Sequence, residues 1–210
     1  DGERSALHPG DFLITPCWSW HDHVNEGDGP VIWLDILDTP VVGFLDTVFR
    51  EFLESETFPV KRPEGDAPAR YGAGLMPLDH VPASPASPVF NYHYARMRDA
   101  LKTMARSNQW DVCHGLKMQY VNPASGAPAT PIMGAFLQLL PEGFKGAGYR
   151  STESNIYVVT EGTGQTVVEG EVLEWGPNDV FVVPGWRQYH HQADKEAVLF
   201  SVTERPVQQS

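Results

Sequence analysis

The chain has 210 residues, two cysteines and a formal net charge of −12 at pH 7, with 15 basic residues against 27 acidic ones. That balance works against binding nucleic acid or an anionic membrane through clustered cations, and an apolar content of 41% sets the chain apart from disordered proteins. Cys17 and Cys113 make no disulfide framework and read as reduced thiols of a cytoplasmic protein, and no apolar run approaches the length of a membrane span.

In chain order, residues 11–15 read as a short buried strand ended by Pro16. Residues 30–37 read as another strand after the Gly27-Asp28-Gly29 turn. Leu45, Val48, Phe49, Phe52 and Leu53 fall at helical spacing and predict a helix with one apolar stripe. Residues 57–90 carry Pro59, Pro63, Pro68, Pro77, Pro82, Pro85 and Pro88, which predicts an extended linker packed over a surface. A second helix follows over 91–106, with Tyr94, Met97, Leu101 and Met104 on one side. From about residue 112 the pattern changes to strands, with candidates at 116–121, 132–140, 155–160, 164–168, 171–174, 179–183 and 197–203. Short strands broken by regular Gly and Pro turns predict an all-β antiparallel sandwich or jelly-roll barrel.

One segment occurs twice. Residues 8–23 and 176–191 align at an offset of 168, which matches Asp11 with Asp179, Pro16 with Pro184, Trp18 with Trp186 and His23 with His191. Two related β-domains are therefore expected. About 60 strand-like residues precede the second copy and only seven precede the first, so the front domain is expected to extend upstream of Asp1.

These residues resemble the cupins, small jelly-roll barrels with two short motifs. Gly10, Pro16 and His21 stand at the spacing of the second motif, with Trp18 where Gly is usual. In the back unit Gly143, Tyr149, Ser151, Asn155 and Gly162 stand at the spacing of the first motif, with every metal-binding type replaced, and Tyr189 matches His21. The longer phrases Thr15-Pro16-Cys17-Trp18-Ser19-Trp20-His21-Asp22-His23, Trp33-Leu34-Asp35-Ile36-Leu37-Asp38, residues 128–141 and residues 149–154 resemble the gentisate 1,2-dioxygenase family, which includes salicylate and 1-hydroxy-2-naphthoate dioxygenases.

The resemblance implies a bicupin with Fe(II) in the front barrel, a metal-free back barrel and a homotetrameric parent. It divides the chain into the end of a front cupin (1–38), a helix, linker and helix (39–111) and a back cupin (112–210). The implied activity is oxygenative opening of a small aromatic hydroxy acid, gentisate to maleylpyruvate, with salicylate or 1-hydroxy-2-naphthoate as alternative substrates.

By resemblance, His21 is the third iron ligand, since neutral imidazoles suit Fe(II). His23, two residues on, shares a strand face with His21 and contacts substrate or gives a proton to bound oxygen; otherwise it is a structural His. Asp35 accepts a bond from a ring hydroxyl or orients His23, or simply ends a strand. Trp18 and Trp20 wall an aromatic pocket or belong to the core. The remaining ligands, a His-x-His pair, are expected upstream of residue 1, so the chain alone is expected to be inactive. A non-catalytic binding or oligomerisation module is the competing class, supported by the ligand-poor back unit.

Overall fold

The computed structural model describes residues 2–55 and 57–209. Its second half is a jelly-roll barrel of two antiparallel sheets. The larger sheet holds β3 (Leu116–Gln119), β4 (Gly134–Leu140), β5 (Asn155–Glu161), β8 (Val180–Val183) and β10 (Ala197–Thr203), in the order β3-β4-β10-β5-β8. The smaller sheet holds β6 (Gly164–Val168), β7 (Glu171–Trp175) and β9 (Tyr189–Ala193), in the order β7-β6-β9. All these strands but β9 lie at positions where alternation and turn residues predict them. β9 is implied by the repeated segment.

The register sorts each strand into two faces. Lys117 pairs with Gln138, Gln138 with Leu199, Leu199 with Val159, and Tyr157 with Phe181. These side chains line the barrel, together with Leu140, Trp175, Tyr189 and Ala193. The outer face carries Leu137, Leu139, Val198 and Val202. β4 is buried at every position because one face fills the barrel while the other lies under a helix.

That helix is α3 (Tyr94–Ala105). Its Leu101 and Met97 pack on the outer face of the sheet. Burying one such Leu is worth roughly 1.5–3 kcal/mol. The helix has no side-chain cap of its own. Instead Asp11, from far upstream, accepts the Tyr94 N–H at 2.8 Å. At the other edge the Tyr94 hydroxyl donates to Glu161, and Arg98 pairs with Glu161 and Glu196. These contacts clamp α3 to the barrel.

The front of the chain differs from the sequence expectation in three places. The strand expected over 11–15 is reduced to β1 (Phe12–Leu13), paired with β2 (Asn91–Tyr92). No strand forms over 30–37, and the residues there, apart from the half-buried Ile36, are exposed. A strand exists only where a neighbour takes its backbone N–H and C=O groups, and among the described residues nothing runs alongside. Finally, the helix expected from the stripe Leu45 to Leu53 is absent. A short α1 (Thr39–Phe44) stands before it, and Phe49 and Phe52 are exposed. Without a surface to bury its stripe, an amphipathic segment loses most of what stabilises it as a helix.

The Pro-rich stretch is extended apart from the short α2 (Asp66–Tyr71). It is fastened at both ends: Lys61 N–H donates to the Gly2 carbonyl, and the Glu3 carboxylate accepts the Gly65 and Ala67 N–H groups. Ser87 N–H donates to the Ala129 carbonyl.

Candidate functional site

The two copies of the repeated segment share backbone geometry as well as sequence. Asp11 accepts the His8 N–H on Oδ2 at 3.0 Å, and Asp179 accepts the Gly176 N–H on Oδ2 at 2.8 Å, so the same Asp-locked turn opens both copies. In each copy the Asp N–H also donates to the carbonyl three residues back, so the shared feature is a β-turn locked by its last side chain. Farther on, Trp18 has φ 58° and Trp186 has φ 62°. Both tryptophans therefore occupy the left-handed backbone that a Gly would favour, at the position where the cupin motif ordinarily has Gly.

The segment after the front turn carries the predicted site residues. His21 and His23 are exposed, with ring centroids 5.6 Å apart and planes nearly perpendicular. They come together although no strand forms there. His23 stacks on Trp33 at 5.3 Å. The His21 Nδ1 lies 3.2 Å from the Ser19 carbonyl. That contact places the proton on Nδ1 and leaves the Nε2 lone pair facing outward, the tautomer a metal-ligating imidazole takes. His21 thus fits one ligand position of an iron centre, and no group of three or more His, Cys, Asp and Glu side chains among the described residues includes it. Trp18 meets Phe49 edge to face at 4.9 Å, and Trp20 is exposed. Asp35 is exposed and makes no side-chain hydrogen bond among the described residues, so the structure does not bring it to His23.

A different cluster of metal-binding types is present at His8, Asp11 and His93, whose ligand atoms lie within 4.8 Å of one another. The carboxylate is already committed. Its Oδ1 accepts from Tyr94 N–H, and its Oδ2 accepts from His8 N–H and sits 3.1 Å from His93 Nδ1. Burial opposes ionisation of Asp11, and the two backbone N–H bonds overcome it to hold the carboxyl below the usual range. This cluster is the cap that joins the front turn to α3.

In the back barrel, the positions matching a cupin metal site hold Tyr149, Ser151, Asn155 and Tyr189. Tyr157 and Tyr189 share a hydroxyl–hydroxyl bond of 2.8 Å. His191 faces inward and is fully buried, and the adjacent His190 lies on the other face. Sequence reasoning passed over Lys117, Gln138 and Tyr157, which also point inward. In Leu116-Lys117-Met118-Gln119 a charged residue between two apolar ones reads as the solvent side of a strand, and only the barrel register reverses that.

Burial pushes the His114 imidazole down to about 4, with Lys117 adding to the shift, and holds His191 well below its ordinary value. Imidazoles of the unfolded chain take up protons near 6.5. Between about pH 6.5 and 4 the unfolded state therefore binds more protons, and stability present above 6.5 is lost as pH falls through that window. The urea midpoint is expected to drop from about pH 7 to about pH 5, and to drop less in His191→Gln. Equal drops in both proteins would remove the buried His191 as a cause.

A cupin-domain family model matches residues 1–37. The fold is that of a cupin. Gentisate 1,2-dioxygenase 1 of Aquipseudomonas alcaligenes is 48% identical over 209 residues, covering 100% of this chain and 60% of that protein. A 5-aminosalicylate 1,2-dioxygenase from a Comamonas species is 37% identical, over 98% of this chain and 55% of that one. A crystal structure of a salicylate 1,2-dioxygenase variant from Pseudoaminobacter salicylatoxidans, in complex with gentisate, superposes with a TM-score of 0.87 at 29% identity, covering 95% of this chain and 57% of that chain. The chain is homologous to the gentisate 1,2-dioxygenases and to the salicylate and hydroxynaphthoate dioxygenases. It spans about 60% of the length of the first of these curated relatives. Among the described residues, no helix is long and apolar enough to cross a membrane.

Proposed function

We propose that this chain is part of an Fe(II)-dependent dioxygenase that opens the ring of gentisate between the carboxylated and the neighbouring hydroxylated carbon, giving maleylpyruvate. The observation that carries the reading is the unbroken 48% identity with a gentisate 1,2-dioxygenase over the whole chain. Residues 1–38 then belong to a front cupin with the iron site, residues 39–111 connect, and residues 112–210 form a metal-free back cupin. His21 holds the iron through Nε2, as its Nδ1 contact with Ser19 supports. Fe(II), when bound, supplies the electronic link between an aromatic ring and dioxygen that their direct reaction lacks.

The chain's own groups do the rest. His23, its ring fixed by stacking on Trp33, holds a proton within reach of the pocket and passes it to the reacting oxygen. Asp35 accepts a hydrogen bond from a ring hydroxyl once the pocket is assembled around it. Trp18 and Trp20 form apolar wall. The exposed apolar side chains of this region, Ile32 at 94% and Phe44 at 90%, support a larger assembly around the segment, a homotetramer of a longer polypeptide. The free thiols Cys17 and Cys113 support a cytoplasmic setting.

The 5-aminosalicylate and salicylate dioxygenases among the relatives favour a second reading, the same chemistry on a salicylate. Oxygen uptake by the Fe(II)-loaded full-length protein tests both. Iron-dependent uptake with gentisate well above that with salicylate is expected. Preference for salicylate would move the substrate, and no uptake with either would leave a non-catalytic cupin module.

A further inference from the structure

We propose that the interior of the back barrel is a binding site for a small carboxylate anion, held by Lys117 together with His191. This goes beyond the ring-cleavage reading and does not depend on it. Polar side chains stand among the apolar ones that line the barrel. Lys117 points inward, its Nζ 5.0 Å from the Phe136 ring centroid and 5.6 Å from that of Tyr157. Phe136 and Tyr157 are the two register neighbours of Ser201. The Lys117 ammonium group makes no hydrogen bond or ion pair among the described residues.

Around it, several buried polar atoms lack partners: Gln138 Oε1, Ser201 Oγ, His114 Nδ1, His191 Nε2 and both side-chain atoms of Asn155. Buried groups of this kind are ordinarily satisfied, so inward-facing side chains left without partners call for a bound molecule. The His191 proton can be assigned. Thr166 Oγ1 accepts from Trp175 Nε1 at 3.0 Å, and the one acceptor within reach of its own buried O–H among the described residues is His191 Nδ1 at 2.8 Å. The remaining proton of the neutral ring is on Nε2, aimed at no acceptor.

Charge selects an anion over water. The nearby Glu153 carboxylate is taken up by Arg205, which grips it with two N–H groups. Lys117 is left as one positive charge without a counter-charge of its own. Water satisfies hydrogen bonds but brings no charge, and a half-buried cation drawn away from bulk solvent favours a partner of opposite charge. Burial pushes the Lys117 amine down to about 8, so it remains mostly protonated at neutral pH. A carboxylate offers two acceptor oxygens, one for the ammonium group and one for a neutral N–H. Lys117, His114 and Tyr149 are partly accessible, which gives the lumen an entrance.

The test uses the full-length protein and acetate as probe, against chloride at equal ionic strength. Lysines are reductively methylated with formaldehyde and scored by peptide mass spectrometry. Acetate is expected to slow methylation of Lys117 several-fold and to leave the exposed Lys102 and Lys195 unchanged. In parallel, acetate is expected to raise the melting temperature of the parent protein but not of Lys117→Met. Equal Lys117 methylation in the two salts would overturn the proposal. If Lys117 is unreactive in both, the melting data decide, and an acetate response that survives in Lys117→Met overturns it.

Discussion

Substituting His21 with alanine in the full-length protein is expected to abolish both iron retention and gentisate turnover. Ser19 receives the Nδ1 proton, so the lone pair His21 offers is on Nε2. Disturbing a group that merely orients a metal ligand costs about 10–100-fold in metal affinity or activity. Loss of the ligand itself is expected to exceed about a hundredfold in both. The substitution removes little packing within this chain, where His21 is exposed and its one ring contact is with His23. Urea stability should therefore stay within about 0.5 kcal/mol of the parent, which separates a lost ligand from a lost fold. His23→Ala provides the contrast: iron retained and turnover lowered. A His21→Ala protein that kept its iron and turned over gentisate would remove His21 from the centre.

The sequence made some of this legible, for physical reasons that differ by region. The repeat at offset 168 survives into three dimensions because its parts are local. An Asp three residues after the N–H it accepts, and a Trp held at positive φ after a proline, need no distant partner. The back strands were legible because Gly and Pro turns bound them and both sheets are complete. The segments at 30–37 and 45–53 were misread for the opposite reason. Their patterns state which face needs burial, yet what would bury it is not among the described residues. Lys117 marks a third kind of limit: alternation gives two faces, but only the register with Gln138 and Leu199 decides which one is inside. Of the candidate site, the His21–His23 pair was readable from motif spacing. The place of Asp35 was not, since it depends on a strand that does not form here.

The largest loss of stability from a single methyl group is expected at Gly162, and the comparison with Gly143 isolates its cause. Both glycines occupy the matching ends of the first cupin motif in the back barrel, and both have positive φ, 83° at Gly162 and 75° at Gly143. Alanine at either position forces an L-residue into left-handed backbone, at about 1–3 kcal/mol. At Gly143 nothing lies within 4 Å of the added carbon, so backbone strain is the whole effect. At Gly162 the added carbon meets the Glu196 carbonyl oxygen at 2.3 Å and the Ala197 Cα at 2.6 Å. These are main-chain atoms at the start of β10, the strand that joins β4 to β5, and they cannot swing aside as the end of a side chain does. Overpacking of this kind adds about 1–3 kcal/mol or more. Gly162→Ala is therefore expected to lose roughly twice what Gly143→Ala loses, a large share of the ~5–15 kcal/mol that holds an ordinary domain folded. Urea unfolding of the two variants side by side measures it. Equal losses would mean that the turn between β5 and β6 shifts freely and that β10 does not fix its position.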